Sequence, residues 1–521
     1  QTPTPRTTAK PQSPPKTHAQ PSAPPPPGRS QASTAHRTSR DAHPPREAPP
    51  APVVEAEEEP HPTSSGGEGY EDYGVNNFVD PRQDSLSTFA IDVDTASYTI
   101  MRRKLTEGTL PPHASVRVEE FVNYFKYNYA QPDDNRPFGV HFEAAPSPFD
   151  THRTFLRVGV QGKRINPNQR PPIHLTFLVD TSGSMQSHDK MGLLKQALML
   201  LVNNLRSGDT VALATYAGHV SRVLDPTDAR EVNTIHNAIE RLSAGGSTAM
   251  NSGLELAYQM AYSNFQPGHV NRVIVCSDGD ANVGPSSHRA ILDRIRHFTQ
   301  EGVTLSTIGF GMGNYKDVMM EQLADSGNGN YYYIDTLKQA RRVFQDDLLG
   351  TLIVIAKDVK IQVEFDPNQV AAYRLIGYEN RDVADIDFRN DAVDAGEIGS
   401  GHNVTAVYEV KLKSGSTSAR RPFATTRIRH KTPTGSQATE STYGFTQQHM
   451  ASAFAHGSSA FRLAVSVAAF AEVLRDSPHA REWSLHQVRA LAQDAAGDRE
   501  DEQELVRLID RAIQLMPSAM R

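Results

Sequence analysis

Phe177-Leu-Val-Asp-Thr-Ser-Gly-Ser-Met185 is a run of buried-type strand residues that ends in an aspartate and two serines spaced Asp-x-Ser-x-Ser. Two later segments carry matching chemistry, Gly245-Gly-Ser-Thr248 and Val273-Ile-Val-Cys-Ser-Asp-Gly279. Asp180, Ser182, Ser184, Thr248 and Asp278 are hard oxygen donors, two of them charged. Such donors suit Mg²⁺, which keeps several waters and takes few protein ligands. Mn²⁺ and Ca²⁺ accept the same oxygens, so the ion is left open among the three. Taken singly, each piece is an ordinary turn or helix cap. Taken together they describe one site, in which two aspartates balance a dication and leave it attractive to an incoming carboxylate. Gly183, Gly245 and Gly246 are expected to let the backbone approach the ion, and Asp280 to act as a supporting acceptor behind the ligands.

Around these segments, from Ile173 to about Gly350, the chain alternates strand and helix. Strands are expected at 173–179, 210–216, 219–224, 271–276, 303–309 and 331–334. Helices are expected at 190–205, 228–242, 251–264, 286–300, 316–325 and 336–348. Apolar strands separated by amphipathic helices predict a doubly wound, mostly parallel sheet covered on both faces. Ligands of such sheets bind outside the carboxyl ends of the strands, where Asp180 and Asp278 fall.

Outside this unit the pattern changes. Before it, a strand at 87–93, helices at 96–107 and 115–127, and half-buried strands at 138–144 and 155–160 are expected. After it, strands are expected at 352–356, 359–365, 372–378, 403–412 and 423–429. β segments on both sides imply that the α/β unit is inserted into a β-sandwich. Three helices close the chain, at 459–474, 484–496 and 502–515, with Leu505, Leu508, Ile509 and Ile513 on one face of the last. The expected organisation is a disordered Pro-rich linker over 1–69, an α+β extension over 70–165 and the α/β domain over 170–350. A sandwich segment over 351–435 and a helical segment over 440–521 follow. Residues 1 to about 70 hold nearly half of the 35 prolines and almost no large apolar residues, too little to offset ordering entropy.

Composition narrows the function. A net charge of −7 in 521 residues gives no case for nucleic-acid binding. The one cysteine, Cys276, sits in an apolar strand and reads as a core thiol; it excludes an internal disulfide framework. No stretch reaches the roughly 18–20 apolar residues of a membrane span. Because the sequence starts at Gln1, an export signal or anchor removed upstream is an expectation.

Three other motifs fail on inspection. Asp92-Val-Asp94 resembles the start of a haloacid-dehalogenase phosphatase but has Ala96 where a hydroxyl is needed, so Asp94 or Thr95 is expected to cap the next helix. Asp278-x-Asp280-x-Asn282 opens like an EF-hand loop, yet Val283 and Arg289 stand where glycine and glutamate belong. Gly309-x-Gly311-x-Gly313-Asn314 lacks the third glycine of a dinucleotide loop. No H-E-x-x-H, P-loop or G-x-S-x-G motif occurs, pairs of nucleophile and base distant in sequence are left open, and the chain reads as a non-enzyme.

The Asp-x-Ser-x-Ser, Thr248 and Asp278 set resembles the metal-ion-dependent adhesion site of von Willebrand factor type A domains. That resemblance implies direct bonds from the two serines to the ion, with Thr248, Asp180 and Asp278 bound directly or through water. Longer strings resemble one bacterial family of such proteins. They include Ser87-Thr-Phe-Ala-Ile-Asp-Val-Asp-Thr-Ala-Ser-Tyr98, Asn271-Arg-Val-Ile-Val-Cys-Ser-Asp-Gly279, Ile355-Ala-Lys-Asp-Val-Lys-Ile-Gln-Val-Glu-Phe365 and Tyr373-Arg-Leu-Ile-Gly-Tyr-Glu-Asn380. Members of that family are typically exported, often as lipoproteins. The resemblance implies an extracytoplasmic location in the bacterial envelope and a Mg²⁺-dependent protein-binding role, a partner's Asp or Glu completing the coordination sphere. The single mid-chain cysteine offers no lipobox. The alternatives are a scaffold or assembly factor acting through the C-terminal region and, third, a metal-dependent hydrolase.

Overall fold

The computed structural model describes residues 69–132, 136–217, 219–246, 250–279, 285–311, 317–393, 395–414, 422–446 and 449–516. Three strands, β1 (Leu86–Ala90), β2 (Phe138–Pro146) and β3 (Thr154–Gly162), precede the strand–helix repeat. Within the repeat lie β4 (Ile173–Asp180), β5 (Thr210–Tyr216), β6 (Val220–Asp228), β7 (Val270–Ser277), β8 (Thr304–Phe310) and β9 (Tyr331–Ile334). After it come β10 (Val354–Phe365), β11 (Val370–Ile376), β12 (Ile398–Gly399), β13 (Asn403–Leu412), β14 (Ala424–Lys431) and β15 (Ala438–Phe445). One sandwich sheet is ordered β1-β10-β14-β15 with β12 also on β10, and the other β11-β13-β3-β2. Every pairing in both is antiparallel. Each sheet draws strands from both sides of the repeat, so the α/β unit is inserted into the sandwich. Residues 70–165 and 351–435 therefore build one body around a shared core that includes Phe89, Val158, Ile361 and Tyr408.

The inserted sheet is ordered β6-β5-β4-β7-β8-β9 and is parallel except for β6, which runs antiparallel to β5. Counted from its own first strand this is 3-2-1-4-5-6. The winding reverses between β4 and β7, and their carboxyl ends border the crevice where such folds bind ligands. Both strands are apolar on two faces because helices cover both. Phe177, Val179, Ile274 and Cys276 pack with Leu194, Leu198 and Ile235 on one side. Leu178, Val273 and Val275 pack with Leu254, Ala257 and Ile295 on the other.

Tertiary contacts changed several local expectations. Strand β3, expected to be half-buried, is buried at all nine positions. The reason is the helix Ser459–Leu474, which lies against β3 and β13. The helix expected over 115–127 is reduced to a 3₁₀ turn, His113–Ser115, and a short helix, Val118–Asn123. Ser97 Oγ donates to the Ser115 carbonyl and accepts from the Arg117 amide at 2.9 Å, which holds that backbone out of a helix. Neither Asp94 nor Thr95 caps the helix Ala96–Thr106 through its side chain. The Ser97 amide donates instead to Glu120 at 2.7 Å, and Asp94 Oδ1 accepts from the Tyr331 amide at 2.9 Å, tying β9 to the chain before it. The runs 352–356 and 359–365 form one strand with an irregularity at Asp358, where φ is +53°. Strand β15 was invisible because its sequence, Ala-Thr-Glu-Ser-Thr-Tyr-Gly-Phe, is mostly polar and its residues stay largely half-buried or exposed.

One half-buried histidine is expected to make the fold acid-sensitive. His402 is packed against Gly350, where an added Cβ would stand 2.5 Å from the imidazole. Burial pushes its pKa down from 6.5 to about 4. A base depressed in the folded state favours folding fully above its unfolded pKa, and that contribution is lost as pH falls from 6.5 toward 4. The expected loss is up to about 3 kcal/mol. Urea denaturation across this window checks it: His402→Gln should flatten the decline seen in the wild type.

Candidate metal centre

Asp180 is the last residue of β4 and Asp278 follows β7 by one, so the topology brings both to the reversal point. Both are buried, with Asp180 0% and Asp278 1% exposed. Asp180 is held by three donors. Its Oδ1 accepts from the Ser182 amide at 2.8 Å, and its Oδ2 accepts from Tyr216 Oη at 3.1 Å and Ser277 Oγ at 2.9 Å. Burial raises the Asp180 carboxyl above its ordinary range, the Asp278 charge adds to this, and hydrogen bonds from Ser182 and Ser277 oppose it. A cation at this point would relieve that cost.

The serines supply the geometric test. Ser182 Oγ and Ser184 Oγ lie 2.9 Å apart and share a hydrogen bond. Adjacent ligands of an octahedral ion with bonds of about 2.0–2.1 Å are separated by roughly the same ~2.9 Å. That spacing is the one their hydrogen bond sets, and it is compatible with neighbouring corners of a Mg²⁺ shell. The loops are laced together by backbone: Gly183 N donates to the Gly246 carbonyl at 3.1 Å, and Gly245 N to the Thr181 carbonyl at 2.7 Å. Gly246 has φ +112°, a conformation suited to glycine, whereas a Cβ at Gly183 would meet only the Gly246 carbonyl at 3.9 Å and one at Gly245 nothing within 4 Å. Thr248 and Asp280 lie outside the described residues. Among the described residues, no group of three or more His, Cys, Asp or Glu is arranged for a metal ion. A site here must rely on hydroxyl oxygens beside two carboxylates, and Asp180, Ser182, Ser184 and Asp278 fit a hard dication.

Sequence reasoning missed Lys190, Tyr216 and Ser277. Tyr216 and Ser277 end their strands at the same edge of the sheet, a signal that position alone could have given. Lys190 belongs to a π-helical turn, His188–Gly192, ahead of the helix Leu193–Asn203, and its Nζ donates to Asp278 Oδ2 at 2.9 Å. Its stem runs under Gly311, where φ is +84° and a Cβ would come within 2.2 Å of Lys190 Cε. Gly311→Ala is expected to cost roughly 2 kcal/mol or more through that overlap and the strained φ. A shift in the chemical denaturation midpoint measures it.

A doubly wound sheet ordered this way, with Asp-x-Ser-x-Ser at its reversal point, defines a von Willebrand factor type A domain. The family model of that description matches residues 174–346; one described as "von Willebrand factor" matches 64–157, and one described as "Uncharacterized protein YfbK, C-terminal" matches 350–515. "Uncharacterized protein YfbK" of Escherichia coli (strain K12) is 39% identical over 481 residues, covering 87% of this chain and 82% of that protein. The chain belongs to the YfbK family of von Willebrand factor type A proteins. The human inter-alpha-trypsin inhibitor heavy chain H4 is 27% identical over 183 residues, which are 34% of this chain and 18% of that protein. The solved structure "von Willebrand factor type A from Catenulispora acidiphila" aligns with a TM-score of 0.45 at 16% identity, covering 74% of this chain and 91% of that one. The type A domain is a protein-interaction module, and no helix among the described residues is long and apolar enough to cross a membrane.

Proposed function

We propose that the protein is a cation-dependent protein-binding module whose ligand is an Asp or Glu side chain of a partner protein. The observation that carries this reading is the 2.9 Å pair of serine hydroxyls beside two buried aspartates at the winding reversal of the sheet. A bound Mg²⁺, or Mn²⁺ or Ca²⁺ in its place, would supply a Lewis-acidic position for a carboxylate oxygen. Ser182 and Ser184 would hold the ion directly. Asp180, fixed by Tyr216 and Ser277, and Asp278, fixed by Lys190, would hold it or its waters. Thr248 and Asp280 belong to the same proposal by sequence.

A Mn²⁺-loaded sample tests the ligand class by water-proton relaxation. Millimolar acetate is expected to displace metal-bound water, and acetamide to leave it in place; equal responses to both would contradict the carboxylate reading. We further propose an extracytoplasmic location in the bacterial envelope, as for the exported proteins this chain resembles. Cell fractionation of the natural gene product tests this, and recovery in the cytosol would contradict it. The scaffold alternative places the interactions in the C-terminal region. Against it, the apolar faces of the helices Ser459–Leu474, Leu485–Ala495 and Glu500–Leu515 pack into one core with Tyr98, Phe121 and Phe155.

A further inference from the structure

The amino edge of the inserted sheet brings together a histidine pair, remote from the centre at the carboxyl edge. His174 is the second residue of β4 and Asp180 its last, roughly 20 Å further along the strand. His174 Nε2 faces Nδ1 of His269 at 2.8 Å, across 95 residues of sequence. The other ring nitrogen of His174 is anchored. Its Nδ1 lies 2.8 Å from Thr210 Oγ1 and 3.2 Å from Asn264 Nδ2, which also donates to Thr210 Oγ1 at 2.7 Å. Thr210 and Asn271 stand opposite His174 on β5 and β7. Asn271 shapes the turn that carries His269. Its Oδ1 accepts from the Gln266 amide at 3.2 Å, and its Nδ2 donates to the carbonyls of Gln266 at 2.9 Å and His269 at 3.1 Å. Both histidines are half-buried, so the pair is built into the fold and still reachable from solvent.

We propose that His174 and His269 bind a transition dication of the imidazole-preferring class, Zn²⁺, Cu²⁺ or Ni²⁺. A ligating histidine has its second ring nitrogen fixed by a hydrogen bond, and Thr210 supplies that partner here. The Thr210 hydroxyl accepts as readily as it donates, so the His174 proton can sit on Nδ1 and leave the Nε2 lone pair to the ion. His269 offers Nδ1 once its own proton is on Nε2. The 2.8 Å separation is that of a hydrogen bond and says nothing by itself of a metal. With metal–nitrogen bonds of about 2.0–2.1 Å, tetrahedral ligation requires the two nitrogens to part by roughly 0.5 Å, a shift that rotation of the His269 side chain supplies. Two imidazoles leave further coordination positions to water, and the bound ion would join β4 to the turn ahead of β7. Hard oxygens at Asp180 and ring nitrogens here select different ions, so this inference does not depend on the cation-site reading above.

Calorimetric titration of Zn²⁺ into the full chain, with Mg²⁺ in excess, tests this on wild type, His174→Gln, His269→Gln and Thr210→Val. The chain has 20 histidines, so the readout is the binding that depends on this pair. Wild type is expected to take up one equivalent of Zn²⁺ more tightly than the rest, and each glutamine variant to lose that equivalent. Thr210→Val keeps both imidazoles and removes the anchoring hydroxyl; it is expected to weaken the same equivalent about 10- to 100-fold. It also serves if the glutamine variants do not fold. A wild type without such an equivalent, or one that survives in either histidine variant or keeps its full affinity in Thr210→Val, would overturn the inference. Mg²⁺ binding at Asp180 is read in a separate titration, and its success or failure leaves this result unaffected.

Discussion

Asp180→Ala is expected to remove the thermal stabilisation that Mg²⁺ gives the wild type, with cation affinity lowered on the order of a hundredfold or more. The carboxylate is fully buried and holds three donors, so it fixes the loop carrying Ser182 and, in the proposed site, would face the ion. Without the ion, the same substitution acts in two directions. It removes a desolvated charge, which favours the fold, and strands Tyr216 Oη and Ser277 Oγ, which disfavours it by about 1–3 kcal/mol. The melting temperature without cation should therefore change modestly, and the Mg²⁺-induced rise should vanish. A variant that kept the full Mg²⁺ shift would exclude Asp180 from the site. Asp180→Asn separates the two effects, since it keeps the volume and most hydrogen-bonding capacity while losing the charge.

Arg374→Met is expected to destabilise the fold by about 3 kcal/mol, the low end of the range for breaking a buried ion pair. Arg374 on β11 is 0% exposed. Its guanidinium reaches Glu409 Oε2 on β13 at 2.6 Å and Glu472 Oε2 on the helix Ser459–Leu474 at 2.8 Å. This triad joins the outer face of the sandwich sheet to the C-terminal helix. Each carboxylate keeps a second guanidinium after the substitution, Glu409 with Arg153 and Glu472 with Arg475, which is why the loss falls at the low end. Burial alone would raise Glu472, but Arg374 and Arg475 outweigh it and hold its pKa at about 2, against an ordinary 4.5. A depressed carboxylate favours folding fully above its unfolded pKa, so this contribution is lost only as pH falls from 4.5 toward 2. Urea denaturation at neutral pH measures the effect, and the double variant with Glu472→Gln should cost less than the sum of the two single changes. A loss below about 1 kcal/mol would contradict the structural role.

The inserted domain was legible because its signal is local. β4 and β7 are apolar runs that stop at aspartates, and period alone places Asp180 and Asp278 at the strand ends. The insertion into a sandwich was legible from β segments on either side. What was not legible came from partners distant in sequence. The burial of β3 on both faces depends on a helix some 300 residues later, and the shortening of the helix at 118–123 depends on Ser97. Asp94 read as a cap because a cap is the local option, whereas its donor, Tyr331, lies 237 residues away. Lys190 escaped notice for the same kind of reason, as its bond to Asp278 spans 88 residues. At the centre itself, the placement of Asp180 and Asp278 at strand ends was readable from sequence, and the contact of Lys190 with Asp278 was not.

Anomalous scattering from crystals grown with Mn²⁺ tests the central claim most directly. The account predicts one strong peak at the carboxyl ends of β4 and β7, bonded to both Ser182 Oγ and Ser184 Oγ, and no such peak in Asp180→Ala crystals. A peak elsewhere in the molecule, or none at saturating Mn²⁺, would contradict it.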